Sequence, residues 1–379
     1  MITIEKITNF DDANLKHMWT ELLAECQAPH IFLTYEWLST WWESYGVGKE
    51  LAILVAKNGE TIVAIAPLMI VHQRFSPVKT IEFVGTGFSD YHDFIIREAH
   101  EEVLSAIFDY LDSIGAHAIR LRHIPEWSAN LPVIRKVLNE RYDAANVSDQ
   151  EIVECPYIQF TGDWESYFNS LPQKFRADVR RRIRRIEENG ELKYIRVTGN
   201  DENITKYLEQ VFDLHQKNWE SRNFRCFFSF ANSRNREFVK KITERFADKN
   251  WYTLLLLIFD DQIVAYTYGF TYNNTVSLWN TSYDLEYVKF AVGKIVHRYL
   301  IEDYITNGFE KCDFMRGVEP YKMEWCNSVL KNYEISIYSS GPISKITAYY
   351  YLTLKPYLET NDTFNRLLSV KFISKLLGK

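Results

Sequence analysis

The sequence has few cysteines, 5 in 379 residues, and they are scattered and never arranged as a CxxC pair. It therefore predicts neither a zinc site nor a disulfide framework. The chain does not open with a basic segment followed by an apolar one, so we expect no secretory signal. The longest purely apolar stretches, such as residues 254–259, are too short to span a bilayer. These absences favour a cytoplasmic, thiol-reduced protein.

The composition is that of a folded protein, with 46% hydrophobic residues, 25% charged residues and a formal net charge of −6. It excludes intrinsic disorder, and the negative net charge argues against a general nucleic-acid coat. A chain of 379 residues is longer than one hydrophobic core usually serves. We therefore expect two domains, residues 1–160 and 161–340, followed by a helical tail at 341–379.

Two hairpin signals divide the chain into similar halves. Asn58-Gly59 lies between two β-branched runs and predicts a type I′ turn, and Asp260-Asp261 follows about 200 residues later in the same setting. Each hairpin precedes a third strand, a polar cluster with Asp and Tyr, a helix and a further strand. This repeated order predicts a duplication. The fold class is then α+β, with mixed, largely antiparallel sheets flanked by helices.

Between the halves lies a basic segment, QKFRADVRRRIRRIEENG, at residues 173–190. Four apolar residues of this segment fall at helical spacing: Phe175, Val179, Ile183 and Ile186. We therefore expect a helix whose apolar stripe packs against the body of the protein, with arginines on either side of the stripe. One interpretation is a solvated basic face, paired with the following glutamates. The other is a cradle for the phosphates of a cofactor, a nucleotide-linked substrate or RNA.

Several segments occur in an order that resembles a known family. They are FLTYEWLSTWW (32–42), IAPLMI (65–70), GFSDYHDFII (87–96), the basic segment, LHQKNWESR (214–222), SYD (282–284) and DFMRGVEPYKMEW (313–325). With these motifs the chain resembles the cellulose-biosynthesis-type acetyltransferases of the GNAT superfamily, which are relatives of the Fem-type peptidoglycan aminoacyltransferases.

The resemblance implies two GNAT-like domains with the acceptor in the cleft between them. The first domain would contact the acceptor without a cofactor, and the second would hold the acyl donor and carry the catalytic residues. The donor would be acetyl-CoA or, as in the Fem relatives, aminoacyl-tRNA. Two features depart from the family: Val318 replaces an acid in RGDEPYK, and Gly293 is the one glycine where a pyrophosphate loop is expected.

Acyl transfer to an amine requires a group that takes the amine proton and groups that stabilise negative charge. Glu319 and Lys322 of the EPYK segment are our candidates for these roles, with an internal ion pair as the alternative. Asp284 follows the presumed fourth strand and is a further catalytic candidate, or else a helix cap. His215 is a candidate base, with a buried structural histidine as the alternative.

The remaining candidate residues are assigned to binding. The acceptor contacts are Asp90, Tyr91, His92, Trp219, Arg222, Arg316 and Tyr321. A hydrogen-bonded turn is the alternative for the DYHD cluster at 90–93, a salt bridge for Arg316 and simple packing for Tyr321. By the resemblance, the donor contacts are Trp279, Asn280, Thr281, Gly293 and Lys294. We expect no metal ion.

These residues predict an N-acyltransferase that uses acyl-CoA and acts on the amine of an amino sugar or of a cell-envelope polysaccharide precursor. Two alternatives stay open. One is a transferase that uses aminoacyl-tRNA, and the other is a non-catalytic scaffold in polysaccharide biosynthesis or export. The aromatic and basic tail after residue 340 predicts a helix docked on the body or a peripheral membrane contact.

Overall fold

A computed structural model describes residues 1–12, 14–72, 77–222 and 229–354, apart from the side chains of residues 219–222. In these ranges the strands form one mixed sheet of 13 strands. The first half contributes β1 Ile2–Ile7, α1 Leu15–Glu25, α2 Tyr35–Tyr45, β2 Lys49–Asn58, β3 Thr61–His72, β4 Lys79–Phe83, β5 Ile95–Ile96, α3 His100–Ser113, β6 Ala118–Pro125, α4 Asn130–Arg141 and β7 Val147–Gln159.

The second half contributes the remaining helices and strands. They are α5 Trp164–Ser170, α6 Gln173–Glu187, β8 Leu192–Val197, α7 Ile204–Arg222, α8 Ser233–Ala247, β9 Tyr252–Phe259, β10 Gln262–Tyr272, β11 Thr275–Tyr283, α9 Val292–Thr306, β12 Lys311–Asp313, α10 Pro320–Met323, β13 Ser328–Tyr338 and α11 Pro342–Tyr349. Short 3₁₀ segments lie at Ile31–Leu33, Ala144–Asn146 and Leu285–Phe290, and a π-helical segment at Tyr350–Leu354 follows α11.

The order of strands shows that the two halves share one topology. The sheet runs β1-β2-β3-β4-β6-β13-β7-β12-β11-β10-β9-β8, so the first five strands mirror the last five about a central pair. Two unusual backbone conformations are repeated as well. Ala99 and Ala291 both have positive φ, as do His123 and Met315, and each pair is 192 positions apart. The duplicated α+β architecture predicted from the hairpins is therefore confirmed.

The halves exchange their last strands at the centre of the sheet. β13, the last strand of the second half, pairs with β6 and β7 of the first half. β7, the last strand of the first half, also pairs with β12 of the second half. Backbone hydrogen bonds therefore join the halves continuously. The division at residue 160, directly after β7, stays a prediction.

In each half, a pair of parallel strands separates toward the centre of the molecule. β11 pairs with β12 over residues 275–277 and then continues to Tyr283 beside β10 only, which opens a V between β11 and β12. A bulge in β11 at Trp279 interrupts its register with β10. In the first half β4 ends at Phe83, and the segment 84–94 occupies the corresponding place.

A buried aromatic cluster packs the halves together on one face of the sheet. The Trp37 ring lies 5.3 Å from Phe238 and 5.2 Å from Phe270 across the junction. Trp279 lies 5.7 Å from Trp37, and its indole N–H donates to the backbone oxygen of Phe88 (3.1 Å). Much of the aromatic content therefore forms an interface between the halves, where burial of rings is a strong stabilising term.

The tail is only partly described. Helical structure continues through Leu354, and the predicted amphipathic segment after that lies outside the described residues. Within the described ranges, every helix is too short or too polar to cross a bilayer.

Candidate functional site

The site lies where the ends of β6 and β12 meet at the centre of the sheet. Arg316, which follows β12, pairs through Nε with Asp90 of the first half. Its Nη1 lies 2.7 Å from His123 Nε2 at the end of β6. Tyr91 donates to Asp313 Oδ2 at the end of β12 (2.9 Å). Polar side chains of both halves are thus bonded to one another at this point.

The DYHD cluster is buried and its side chains bond to the protein itself. Asp90 bonds Arg316 and Tyr91 bonds Asp313, while His92 Nδ1 lies 3.0 Å from the backbone oxygen of Arg122. Burial, followed by the charge of Arg316, lowers the pKa of His92 to about 3, so the ring is neutral at pH 7. The geometry matches the hydrogen-bonded alternative, and acceptor contact by Asp90 and His92 stays a prediction. Within the described ranges no group of three or more metal-ligating side chains is positioned to hold an ion.

The EPYK segment places a buried cation beside this junction. Glu319 precedes the short helix α10, and its carboxylate lies 2.8 Å from Lys322 Nζ. Lys322 is buried and also donates to the backbone oxygen of Arg316 (2.6 Å). Glu319 is more than half exposed, at 54% of its side chain. Glu319 and Lys322 thus form the internal ion pair that was the alternative prediction for this segment, and the Glu319 carboxylate remains accessible to solvent. Val318, also in this loop, is exposed.

Tyr321 packs on helix α9, so the EPYK segment is held against the helix that follows β11. Its ring stacks on His297 with centroids 5.5 Å apart and planes at 7°. Burial and then the charge of Lys322 lower the pKa of His297 to about 4, which keeps that ring neutral. Sequence reasoning missed His297 because it lies inside an ordinary helical pattern.

The predicted donor contacts of β11 are held mainly by neighbouring strands. Trp279 belongs to the aromatic cluster, Asn280 accepts from Tyr266 Oη (2.7 Å), and Thr281 donates to the backbone oxygen of Tyr266 (2.9 Å). These three side chains therefore contact other residues of the protein, and donor contact by them stays a prediction. What faces the V is the edge of the strand beyond Ser277, where pairing with β12 has ended.

Helix α9 begins at this opening without a side-chain cap. Its N-cap, Ala291, adopts a left-handed conformation with φ of 56°. Next to it, Gly293 lies so near the Tyr283 ring that a Cβ would come within 3.3 Å of it. Lys294, in the first turn of the helix, lies 3.0 Å from Glu324 and 3.5 Å from Asp178. The free N–H groups of a helix start together with a nearby ammonium suit a phosphate.

A cavity of about 810 Å³ lies between α6, the start of α9 and the end of α10. Its walls include Lys174, Phe175, Asp178, Arg181, Lys294 and Glu324. The basic segment and the residues that directly follow the EPYK motif, among them Met323 and Glu324, are distant in sequence and line one cavity. Its cations and its size suit an extended ligand that carries phosphates.

Helix α6 presents several cations without an acidic partner. Arg181 and Arg182 pair with Asp178 at 2.5 and 2.7 Å. In the described ranges no carboxylate pairs with the other basic residues of this helix, Lys174, Arg176, Arg180, Arg184 and Arg185. The expected pairing with the following glutamates is absent there, which favours the interpretation as an anion-binding surface.

The other predicted residues lie on the helical side of the second half. Asp284 accepts from the backbone N–H of Glu286 (3.0 Å) and pairs with Lys217 (3.2 Å), as expected for a cap. His215 is buried 4.8 Å from the Phe230 ring, and burial followed by Arg236 lowers its pKa to about 4. The side chains of Trp219 and Arg222 lie outside the described residues. Catalytic roles for Asp284 and His215 stay predictions.

Asp313 is the residue of this junction that sequence reasoning overlooked. It accepts from Tyr91 Oη, from Lys311 Nζ (3.2 Å) and from the backbone N–H of Met315 (2.9 Å). The available signal was its place at the head of the DFMRG motif, directly after an apolar strand. From the sequence alone, Asp313 looks like any acidic residue at the end of a strand, because the sequence does not show that β12 lies next to the first half.

Residues 173–323 match the family model described as acetyltransferase (GNAT) domain. The fold resembles FemX, with a TM-score of 0.63, 11% identity and coverage of 90% of this chain and 99% of that one. It also resembles L-PGS from Bacillus licheniformis, with a TM-score of 0.53, 11% identity and coverage of 90% of this chain and 97% of that one. A tandem GNAT protein from the clavulanic acid biosynthesis pathway is similar with a TM-score of 0.50, 10% identity and coverage of 90% of this chain and 100% of that one. No curated protein matches the chain.

These matches confirm the tandem GNAT-like fold. The domain match covers α6 through α10, the elements that form the cavity and the EPYK segment. The chain is accordingly an enzyme of the acyltransferase class. The matches do not separate the cellulose-biosynthesis type from its relatives, and at these identities the solved structures show the fold alone.

Proposed function

We propose that the protein is an N-acyltransferase that moves an acyl group from acyl-CoA to a primary amine bound between its halves. The acceptor is an amino sugar or another amine-bearing cell-envelope precursor. One observation carries the proposal: cations of α6 line one cavity together with Lys294 in the first turn of α9. The neighbouring Gly293 packs against Tyr283, the last residue of β11. Donor phosphates and the reacting carbonyl would then occupy neighbouring parts of one opening.

The residues of the second half fit such a donor. The uncapped start of α9, Lys294 and Arg181 would bind its phosphates, because N–H groups and cations converge there. The edge of β11 near the bulge at Trp279 would offer a backbone N–H to the carbonyl. When bound, the donor supplies an activated acyl group, and no covalent enzyme intermediate is needed.

The EPYK segment supplies the proton chemistry in this proposal. Glu319, exposed at the junction, takes the proton that the acceptor ammonium must lose before its nitrogen can attack the carbonyl carbon. Lys322 already donates to Glu319 and to the Arg316 carbonyl, and an ammonium has three N–H groups. Its remaining N–H would stabilise negative charge that develops on the carbonyl oxygen or the leaving sulfur.

The test is acetyl transfer from acetyl-CoA to a panel of primary amines that includes D-glucosamine. Glu319→Gln and Lys322→Met should each lower kcat by about 10²-fold or more with little change in donor KM. Lys345→Met, in the exposed part of α11, is the matched control and should keep full turnover. Full turnover in both EPYK variants would refute these roles. CoA that fails to raise the melting temperature would favour an aminoacyl-tRNA donor or a non-catalytic scaffold.

A second candidate, transfer from aminoacyl-tRNA, is favoured by the length of the cationic surface. Helix α6 has 15 residues, which corresponds to about 22 Å, and unpaired cations occur from its first to its last turn. A CoA diphosphate needs only part of that length. If tRNA is the ligand, its affinity should fall steeply with salt, and the slope should shrink when Arg180, Arg184 and Arg185 are neutralised.

A further inference from the structure

A second cavity, of about 320 Å³, lies between the halves and is separate from the cavity beside α6. The first half provides His30, Phe32, Tyr91 and Trp127, and the second half provides Tyr272 and Asp313. Three of the rings pack edge to face with one another: His30 lies 5.6 Å from Trp127 and 6.0 Å from Tyr91, and Tyr91 lies 5.8 Å from Trp127. No residue predicted to bind the donor lines it.

Three polar atoms on these walls are buried without a hydrogen bond. They are both ring nitrogens of His30 and the indole Nε1 of Trp127, and none of the described residues partners them. Buried polar groups are almost always satisfied, because an unmade hydrogen bond leaves the whole desolvation cost uncompensated. Three such atoms around one cavity indicate a ligand that donates and accepts hydrogen bonds.

The charged groups of the cavity, in contrast, are already neutralised. Asp313 accepts from Tyr91, from Lys311 and from the backbone N–H of Met315. Lys311 pairs with that carboxylate and lies 4.4 Å over the Tyr157 ring. Burial, followed by the charges of His92 and Lys311, lowers the pKa of His30 to about 3, so its ring is neutral, with one donor and one acceptor. A neutral ligand with hydroxyl groups suits these walls better than a free cation or anion.

We infer that this cavity binds a pyranose ring of the acceptor, packed against its aromatic side chains and hydrogen-bonded through hydroxyl groups to His30 and Trp127. A sugar ring offers C–H groups to the electron-rich faces of Tyr and Trp side chains. Each of its hydroxyls both donates and accepts, which matches a neutral imidazole beside an indole N–H. The inference rests on the proposed function, because it identifies the acceptor of that reaction as a saccharide.

The test measures saccharide binding to the full chain without a donor. D-glucosamine and N-acetyl-D-glucosamine are titrated by tryptophan fluorescence and by saturation-transfer NMR. Tetramethylammonium chloride and inorganic phosphate serve as charged probes. Trp127→Phe removes the N–H and keeps a ring, His30→Phe removes both nitrogens, and Trp42→Phe in α2 is the control. We expect both sugars to bind, and each cavity variant to weaken binding about 3- to 10-fold, as expected for a lost hydrogen bond.

The outcomes separate this inference from the proposed function. Sugar binding that is weakened in both cavity variants but not in Trp42→Phe supports the pocket, even if no acyl transfer is found. Acetyl transfer to simple amines without sugar binding leaves the proposed function intact and overturns the pocket. Binding of the charged probes instead of the sugars also overturns it. Melting temperatures identify a misfolded variant, and the other substitution then decides.

Discussion

The ion pair between Asp90 and Arg316 should be a principal polar link between the two halves. The Asp90 side chain is 8% exposed and that of Arg316 27%, so the pair is buried on one side and partly solvated on the other. Removing one partner of a fully buried pair typically costs about 3–5 kcal/mol. Partial exposure of the guanidinium reduces that value, since water screens the charges and rehydrates the arginine.

The two single substitutions should therefore differ. Arg316→Met leaves the nearly buried carboxylate of Asp90 without its cation, and we expect a loss of about 3 kcal/mol in the free energy of unfolding. Asp90→Asn leaves a guanidinium that still contacts His123 and reaches solvent, and we expect a loss of about 1–2 kcal/mol. The double variant should lose less than the sum, with a coupling energy of about 1–2 kcal/mol.

Urea unfolding followed by tryptophan fluorescence measures these differences, because many tryptophans lie in the aromatic cluster at the junction. The matched control is the pair of Arg141 with Asp109, whose aspartate is 70% exposed. Breaking that pair should cost less than about 1 kcal/mol. A coupling energy for Asp90 and Arg316 no larger than that of the control pair would refute the view that charge pairing joins the halves.

Three further predictions concern single positions. Ala291→Gly should raise the free energy of unfolding by about 1 kcal/mol, since Ala291 has φ of 56°, whereas Ala177→Gly inside α6 should lower it by a similar amount. Burial opposes ionisation of Asp178, but hydrogen bonds led by that from Arg182 lower its pKa from 3.8 to about 2. Asp178→Asn should therefore cost about 1 kcal/mol at pH 7, and the difference should vanish as the pH falls from about 4 to about 2. Phe270→Ala should cost about 3–5 kcal/mol in urea unfolding, because the fully buried ring contacts both halves.

Each of these predictions has a contradicting result. Equal melting temperatures for the two glycine variants would mean that the left-handed alanine carries no strain. A stability difference for Asp178→Asn that does not change in acid would exclude the ion pairs as its cause. A cost for Phe270→Ala below about 1 kcal/mol would show that the aromatic cluster repacks freely.

The turn residues correctly predicted that both segments form hairpins, but they predicted the exact turn correctly in only one of them. Asp260 and Asp261 both have positive φ, as a type I′ turn requires. In the first hairpin Asn58 is still paired with Thr61, so the loop consists of Gly59 and Glu60, and only Gly59 has positive φ. The type I′ turn predicted at Asn58-Gly59 is therefore wrong in position by one residue and wrong in type, because a type I′ turn needs positive φ at both central residues. Register in a buried hairpin is fixed by which face of the strand is covered, and the sequence at the turn does not reveal that.

The junction was beyond prediction for a different reason. Asp90 and Arg316 were each identified as binding residues from local motifs, yet they bind one another across 226 positions. The EPYK segment was recognisable because its function-bearing residues are contiguous. His30 and Trp127 gave no signal, since an isolated histidine before an apolar run is ordinary. His30 and Trp127 are distant in sequence and are brought together only by the fold. They therefore form no motif with a regular spacing that sequence analysis could detect.

The exchange of strands brings the ends of β6 and β12 together where the two halves join. β6 and β12 run toward the same level of the sheet from opposite directions, and β13 and β7 lie between them. The ends of both strands therefore converge on Arg316, His123 and Asp313, and neither V can widen without moving a residue bonded to the other half. An acceptor held between the halves would thus press on the same buried contacts that position Lys322. Because these bonds are made with side chains that are buried or half-buried, their geometry is fixed before any substrate arrives, which is the condition for transfer by positioning.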